Sequence, residues 1–192
     1  QRRGPALAEL DVARVQRGRV VGVDRDIRID CVSVGRTGNR VAALEQALKD
    51  DGGVIVARLL EEELKGPFAF PQLGGLKTRT VEISGKADRI DVFDDGSLRV
   101  VDYKLSKLPD TRASIQIAVY AWAARQLLQS RDGRAHEIRD AMYLAFGDED
   151  RFEGALGGRD EPPAMAVAAR VSEFASVIGR IEAGEFPPAP RR

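Results

Sequence analysis

The chain has one cysteine, one histidine, one tryptophan and two methionines in 192 residues, and its 30 Lys and Arg are balanced by 30 Asp and Glu. A lone Cys31 excludes an internal disulfide and any cysteine cluster within the chain, a usage that fits a reducing, cytoplasmic setting. A lone His136 excludes a His-rich zinc site and any triad that needs a second histidine, so it reads as structural. Zero net charge removes the long-range positive field of a free nucleic-acid binder, so a polyanion site would have to be local. The longest uncharged stretch, residues 113–124, is well short of the roughly 20 apolar residues of a membrane span, so we expect a soluble protein without a membrane partner. The opening QRRGPALAEL has no apolar signal core. It begins with Gln1, from which a trimmed or excised domain is expected.

What is present is a set of alternating and helical patterns that fit one domain of ordinary size, residues 1–192. Residues 18–34 alternate around Asp24 to Asp26 and predict an N-terminal hairpin appendage, followed by a loop at 35–39 and a helix at 41–50. VIVARLLEEELK at 54–65 predicts a second helix, closed by Gly66-Pro67, with a loop over 67–76. Residues 78–84 alternate as a strand. Pro109 delays the next helix, expected over about 112–130 with Asp110 or Thr111 as its cap and with most of its sides buried. A strand at 137–146, a charged Gly-rich loop at 148–163, an amphipathic helix at 164–183 and an irregular tail complete the chain. This order of elements predicts an α/β domain with a central mixed sheet flanked by helices.

The stretch GKADRIDVFDDGSLRVVDYK at 85–104 carries five aspartates. Asp94-Asp95-Gly96 suits a three-residue hairpin loop with Gly96 in the left-handed position. Phe93 then faces Ser97, and Asp88 faces Asp102. Alternation puts Ile90, Val92, Leu98 and Val100 on a core face that continues into Asp88, Asp102, Lys86 and Lys104. Asp91 falls on the other, more exposed face, where a salt bridge to Arg99 is expected. Two adjacent carboxylates on a half-buried face need a cation. Either a hard divalent ion such as Mg²⁺ is held by Asp88, Asp102 and the Tyr103 carbonyl, with Lys104 orienting a metal-bound water and offsetting charge on a phosphate oxygen, or Lys86 and Lys104 neutralise the pair as a cross-strand salt-bridge cluster. Geometry alone leaves both readings open.

Gly85-Lys86-Ala87-Asp88, then Asp102-Tyr103-Lys104, then Gln116 with Tyr120, resembles the G-x-x-D, D-Y-K and Q-x-x-x-Y series of the RecB-like branch of the PD-(D/E)XK nuclease superfamily. The likeness is close over residues 82–121. It implies a restriction-endonuclease-like core and metal-dependent DNA hydrolysis. By resemblance Asp88 and Asp102 bind Mg²⁺ or Mn²⁺, Lys104 is the catalytic lysine, and Gln116 and Tyr120 form the helix motif near the site or the DNA backbone, a packed aromatic being the alternative for Tyr120. Many relatives add a histidine from an upstream helix. Here His136 comes too late in the chain, and Glu63, on the apolar stripe of the helix predicted at 54–65, is taken as the third carboxylate. Its alternatives are a solvated helix end or a histidine upstream of the first residue. Several relatives also carry an iron-sulfur cluster on cysteines after a tail resembling GEFPPAP, and no such cluster is expected within this chain.

The leading expectation is therefore a DNA nuclease, an exonuclease acting in end processing or repair with a helicase subunit or domain that delivers the DNA. Lys86, Lys107, Arg112 and Arg89, with Tyr120, are candidate DNA contacts, each also readable singly as surface charge or packing. The rival readings are a non-catalytic DNA-binding or scaffolding module that keeps the fold and a Cas4-like CRISPR nuclease.

Overall fold

The structure is a computed structural model and describes residues 46, 53–72, 77–111, 114–146, 153–157 and 161–185. The hairpin expected at 18–34, the loop at 35–39, nearly all of the helix at 41–50, and Arg112 lie outside the described residues.

The strands are β1 (Ile55–Pro71), β2 (Thr78–Phe93), β3 (Leu98–Lys104), β4 (Ile138–Ala145) and β5 (Glu153–Ala155), joined in one sheet of order β1-β2-β3-β4-β5. The β3–β4 pair is parallel and the others are antiparallel, so the sheet is mixed, as expected. Helices α1 (Gln116–Asp132) and α2 (Pro163–Glu182) pack on one face of it. Helix α1 supplies the crossover that lets β3 and β4 run parallel.

Two expectations fail at β1. Residues 54–65 are strand rather than helix, and 67–71 continue that strand rather than looping. The outer half of β1 alternates strictly, with Glu62, Leu64, Phe68 and Phe70 buried and Glu61, Glu63, Lys65, Pro67 and Ala69 exposed. That period of two pairs with β2 from Glu62↔Ala87 to Pro71↔Thr78. A short strand, β5, also interrupts the predicted charged loop and pairs with β4.

The core lies between this face and the helices. Ile90, Leu98 and Val100 from the sheet meet Ile117, Ala118, Ala121 and Ala124 of α1 and Val167 and Val171 of α2. The alanines let α1 lie close to the strands, with Ile117, Ala118, Val119, Ala121, Ala123, Ala124 and Leu128 buried and its last turn exposed. Phe70 and Phe174 pack edge to face at 5.2 Å, tying the outer end of β1 to α2. Trp122 Nε1 and Gln126 Nε2 both donate to the Ala69 carbonyl, at 2.8 and 3.0 Å, tying it to α1. Helix α1 starts at Gln116 without a side-chain cap from Asp110 or Thr111; its N-cap is Ile115. It ends at Gly133, whose left-handed φ of 72° closes the last turn onto Gln129.

Where β2 pairs with β3 the opposite face of the sheet is buried too. Arg89, Asp91, Phe93, Arg99 and Val101 are at most 1% exposed. The expectation of a more exposed face, with Asp91 on Arg99, is corrected on both counts. Asp91 is held by Arg89, through Nε and Nη2 at 3.0 and 2.6 Å, and by Arg58 Nε at 2.7 Å. Arg99 lies over the Phe93 ring and 3.8 Å from Asp140. A buried carboxylate answered by two guanidinium groups satisfies the rule that buried charge must be paired.

Candidate active site

The turn after β2 forms as its residues dictate. Phe93 N donates to the Ser97 carbonyl at 2.9 Å, Gly96 N donates to Phe93, and Gly96 has φ 82°, which a side chain would strain. His136 Nδ1 contacts the Gly96 carbonyl at 2.7 Å and its Nε2 contacts Asp132, so the lone histidine is buried between this turn and the end of α1. The register follows: Val92↔Leu98, Asp91↔Arg99, Ile90↔Val100 and Arg89↔Val101.

Beyond Arg89↔Val101 the two strands part. Strand β2 continues with β1 alone, and β3 continues with β4 alone through Asp102↔Tyr143 and Lys104↔Ala145. Asp88 fills the opening of this fork: its Oδ2 accepts the Tyr103 amide at 2.7 Å, replacing the ladder bond that β2 no longer makes. The face alternation also breaks here. Ala87 and Ile90 both lie in the core although they are three apart, and across the hairpin Leu59 packs on the core while Leu64, five along, is buried in it. Glu61, opposite Asp88, has φ 55°, a left-handed value rare outside glycine, and the pair is missing from the ladder. Lys86 therefore does not share the face of Lys104. It is exposed and pairs with Glu61, which raises its pKa through the hydrogen bond and charge of that carboxylate.

On the core side of the fork Asp102 is 4% exposed. Lys104 Nζ approaches its Oδ2 to 2.6 Å, as an ion pair without hydrogen-bond alignment, so that buried oxygen lacks an aligned donor. Lys104 Nζ also donates to Gln116 Oε1 at 3.1 Å and lies 5.4 Å from the centre of the Tyr143 ring. Burial pushes the Asp102 carboxyl up; Lys104 opposes this and the Asp88 charge adds to it. For Lys104 burial acts downward, but the closely placed Asp102 carboxylate outweighs it and the ammonium is raised. The two partners do not shift in mirror image because Asp102 is the more deeply buried and loses more solvation than one ammonium restores.

Asp88, Asp102, Lys104 and Gln116 are thus brought together, with Tyr103 joining through its amide. Glu63 is not. The helical stripe that singled it out does not exist, and as a strand residue it is exposed, opposite Lys86. The buried acid of that run is Glu62, 2.5 Å from Arg131 Nη2. Among the described residues no group of three Asp, Glu, His or Cys converges. Tyr120 packs against Gly85, where a Cβ would stand 2.9 Å from its hydroxyl. Lys107 is exposed in the loop after β3. Unforeseen from sequence were Tyr143 and Ser114, whose hydroxyls meet at 2.6 Å beside the start of α1; an apolar strand pattern gives no sign of such a contact.

A family model described as the PD-(D/E)XK nuclease superfamily matches residues 13–192. No curated protein matches the chain. A solved structure described as "Crystal structure of SSO0001" is 21% identical with a TM-score of 0.36, over 73% of this chain and 59% of that one. This chain thus spans less than two thirds of that structure's length.

Proposed function

The chain belongs to the PD-(D/E)XK nuclease superfamily, and from that premise we propose that it is a deoxyribonuclease of the RecB-like branch, hydrolysing phosphodiester bonds with Mg²⁺ or Mn²⁺. The family has a restriction-endonuclease-like α/β core, its members generally use divalent metals, and its fold implies DNA as substrate. The observation that carries the reading is the fork, which gathers Asp88, Asp102, Lys104 and Gln116 at one point.

These residues fit a hard cation. Asp102 is a buried carboxylate with an oxygen that lacks an aligned donor, its pKa is raised by burial, and Asp88 adds a second negative charge beside it. Asp88 and Asp102 would hold the ion. When bound, it supplies Lewis-acid stabilisation of the phosphate and lowers the pKa of the attacking water. The chain's own contribution lies in placement. Lys104, raised by Asp102, remains an ammonium at neutral pH and offsets charge that grows on a phosphate oxygen. Gln116 holds that ammonium from α1. Lys107, exposed in the loop after β3, Lys86, exposed beside Glu61, and Arg112 are the cations assigned to phosphate contacts in this reading.

With no net charge to gather DNA at long range, the substrate is delivered by a partner, a helicase subunit or domain, and the enzyme acts as an exonuclease in end processing or repair. None of the helices of the described residues is long and apolar enough to cross a membrane, and a cytoplasmic setting suits the reading. The test is cleavage of linear DNA with and without Mg²⁺ or Mn²⁺. Asp102→Ala and Lys104→Ala are expected to lower cleavage by at least about a hundredfold while DNA binding persists. A wild-type protein that binds DNA and never cuts it, with either metal, would favour the scaffolding module instead.

A further inference from the structure

Lysine carries its charge on a flexible four-carbon stem, so a site that uses one must hold it from outside. Lys104 is held by Asp102 and by Gln116. Gln116 sits in the first turn of α1, where backbone N–H groups have no partner within the helix and where Ile115 provides no side-chain cap. The acceptor comes from another element. Tyr143 of β4, fully buried and opposite Asp102 in the parallel register, accepts the Ile117 amide on its hydroxyl at 3.1 Å. The same hydroxyl shares the 2.6 Å hydrogen bond with Ser114 Oγ, just before the helix. Its ring meanwhile lies under the ammonium of Lys104.

One side chain therefore touches Lys104 directly and also pins the helix turn that carries the other group holding Lys104. We propose that Tyr143 is a positioning residue for the cleavage reaction, acting through Lys104 and Gln116 without touching DNA. The inference rests on the nuclease reading above. It differs from a packing role, because the part that matters is the hydroxyl, which contributes little to filling the core.

Steady-state cleavage by Tyr143→Phe, Ser114→Ala, Gln116→Ala and the double variant Tyr143→Phe/Gln116→Ala tests it. Tyr143→Phe keeps the ring and removes the hydroxyl; kcat is expected to fall about ten- to a hundredfold per folded molecule, with KM for DNA unchanged. In the Gln116→Ala background the same change is expected to cost less than about twofold, because the group it positions is already gone. Ser114→Ala is expected to lower kcat in the same sense by less, and with Gln116→Ala it carries the same coupling test if Tyr143→Phe does not fold. Unchanged kcat in the hydroxyl variants, or losses that multiply in the double variant, overturns the inference while leaving the nuclease reading intact. A wild-type protein without cleavage activity overturns both.

Discussion

Replacing Gly85 by alanine tests whether two of the three motifs are linked by packing. Gly85 lies in β2 opposite Leu64 with a φ outside the left-handed range, so alanine meets no backbone barrier there. Its Cβ would stand 2.9 Å from the Tyr120 hydroxyl oxygen and 3.1 and 3.2 Å from two ring carbons, and Tyr120 is fixed on a buried helix. Overpacking of this kind costs about 1–3 kcal/mol. Restricting the unfolded chain returns about 0.4–1 kcal/mol, leaving a net loss of about 1–2 kcal/mol. For a chain of this size that is a fall in Tm of about 2–8 °C, read by thermal or urea denaturation. Tyr120→Phe removes the closest contact, so Gly85→Ala should cost less in that background. A Gly85→Ala variant as stable as the wild type, or equal costs in both backgrounds, would refute the packing account of G-x-x-D and Q-x-x-x-Y.

Asp91→Ala leaves Arg89 and Arg58 without their shared carboxylate; with Arg89 1% exposed, the expected loss is about 3–5 kcal/mol in urea denaturation, and a loss below about 1 kcal/mol would refute the pairing. Asp102 gives a pH dependence. Its folded pKa is raised above the ordinary 3.8, so as pH climbs through the window between the two the unfolded chain ionises first and the metal-free protein loses stability. Thermal melts across that window should show a decline in the wild type that Asp102→Asn flattens, and identical slopes would contradict it. For the same reason a divalent ion should raise the Tm more as pH climbs, because binding has to displace the proton that burial holds on Asp102.

The turn at 94–96 was legible because Asp-Asp-Gly can do little else, and it delivered the register of β2 and β3 and the core role of Ile90, Leu98 and Val100. The facing of Asp88 and Asp102 was less well read. Strict alternation presupposes a continuous ladder, but the β2–β3 ladder ends at Arg89↔Val101, and Lys86 lies on the side away from Lys104 as a result. Glu61 explains the misread β1: its left-handed residue breaks the period of two, and the apolar positions Val56, Leu59, Leu60 and Leu64 then imitate a helical stripe. The second buried face was hidden by chemistry, since Arg89, Asp91 and Arg99 look like surface residues until their mutual charge pairing is seen. Neither the hydroxyl of Tyr143 under the start of α1 nor the loss of Glu63 from the acid set follows from any local pattern; both depend on how distant segments meet.

The break at Glu61 and Asp88 also divides the hairpin by how it accepts changes of length. Outside it, from Glu62↔Ala87 to Pro71↔Thr78, alternation is regular, and Leu64, Phe68 and Phe70 all face the helices. Growth there is quantised: two residues added to each strand return the same side chains to the same face, whereas one added to each turns Phe68 and Phe70 toward solvent. Between Asp88 and Asp102 no such unit exists, because a residue gained or lost at the turn shifts one strand against the other. Variation in this fold is therefore expected to accumulate outward from Asp88 in pairs and to stop at the fork.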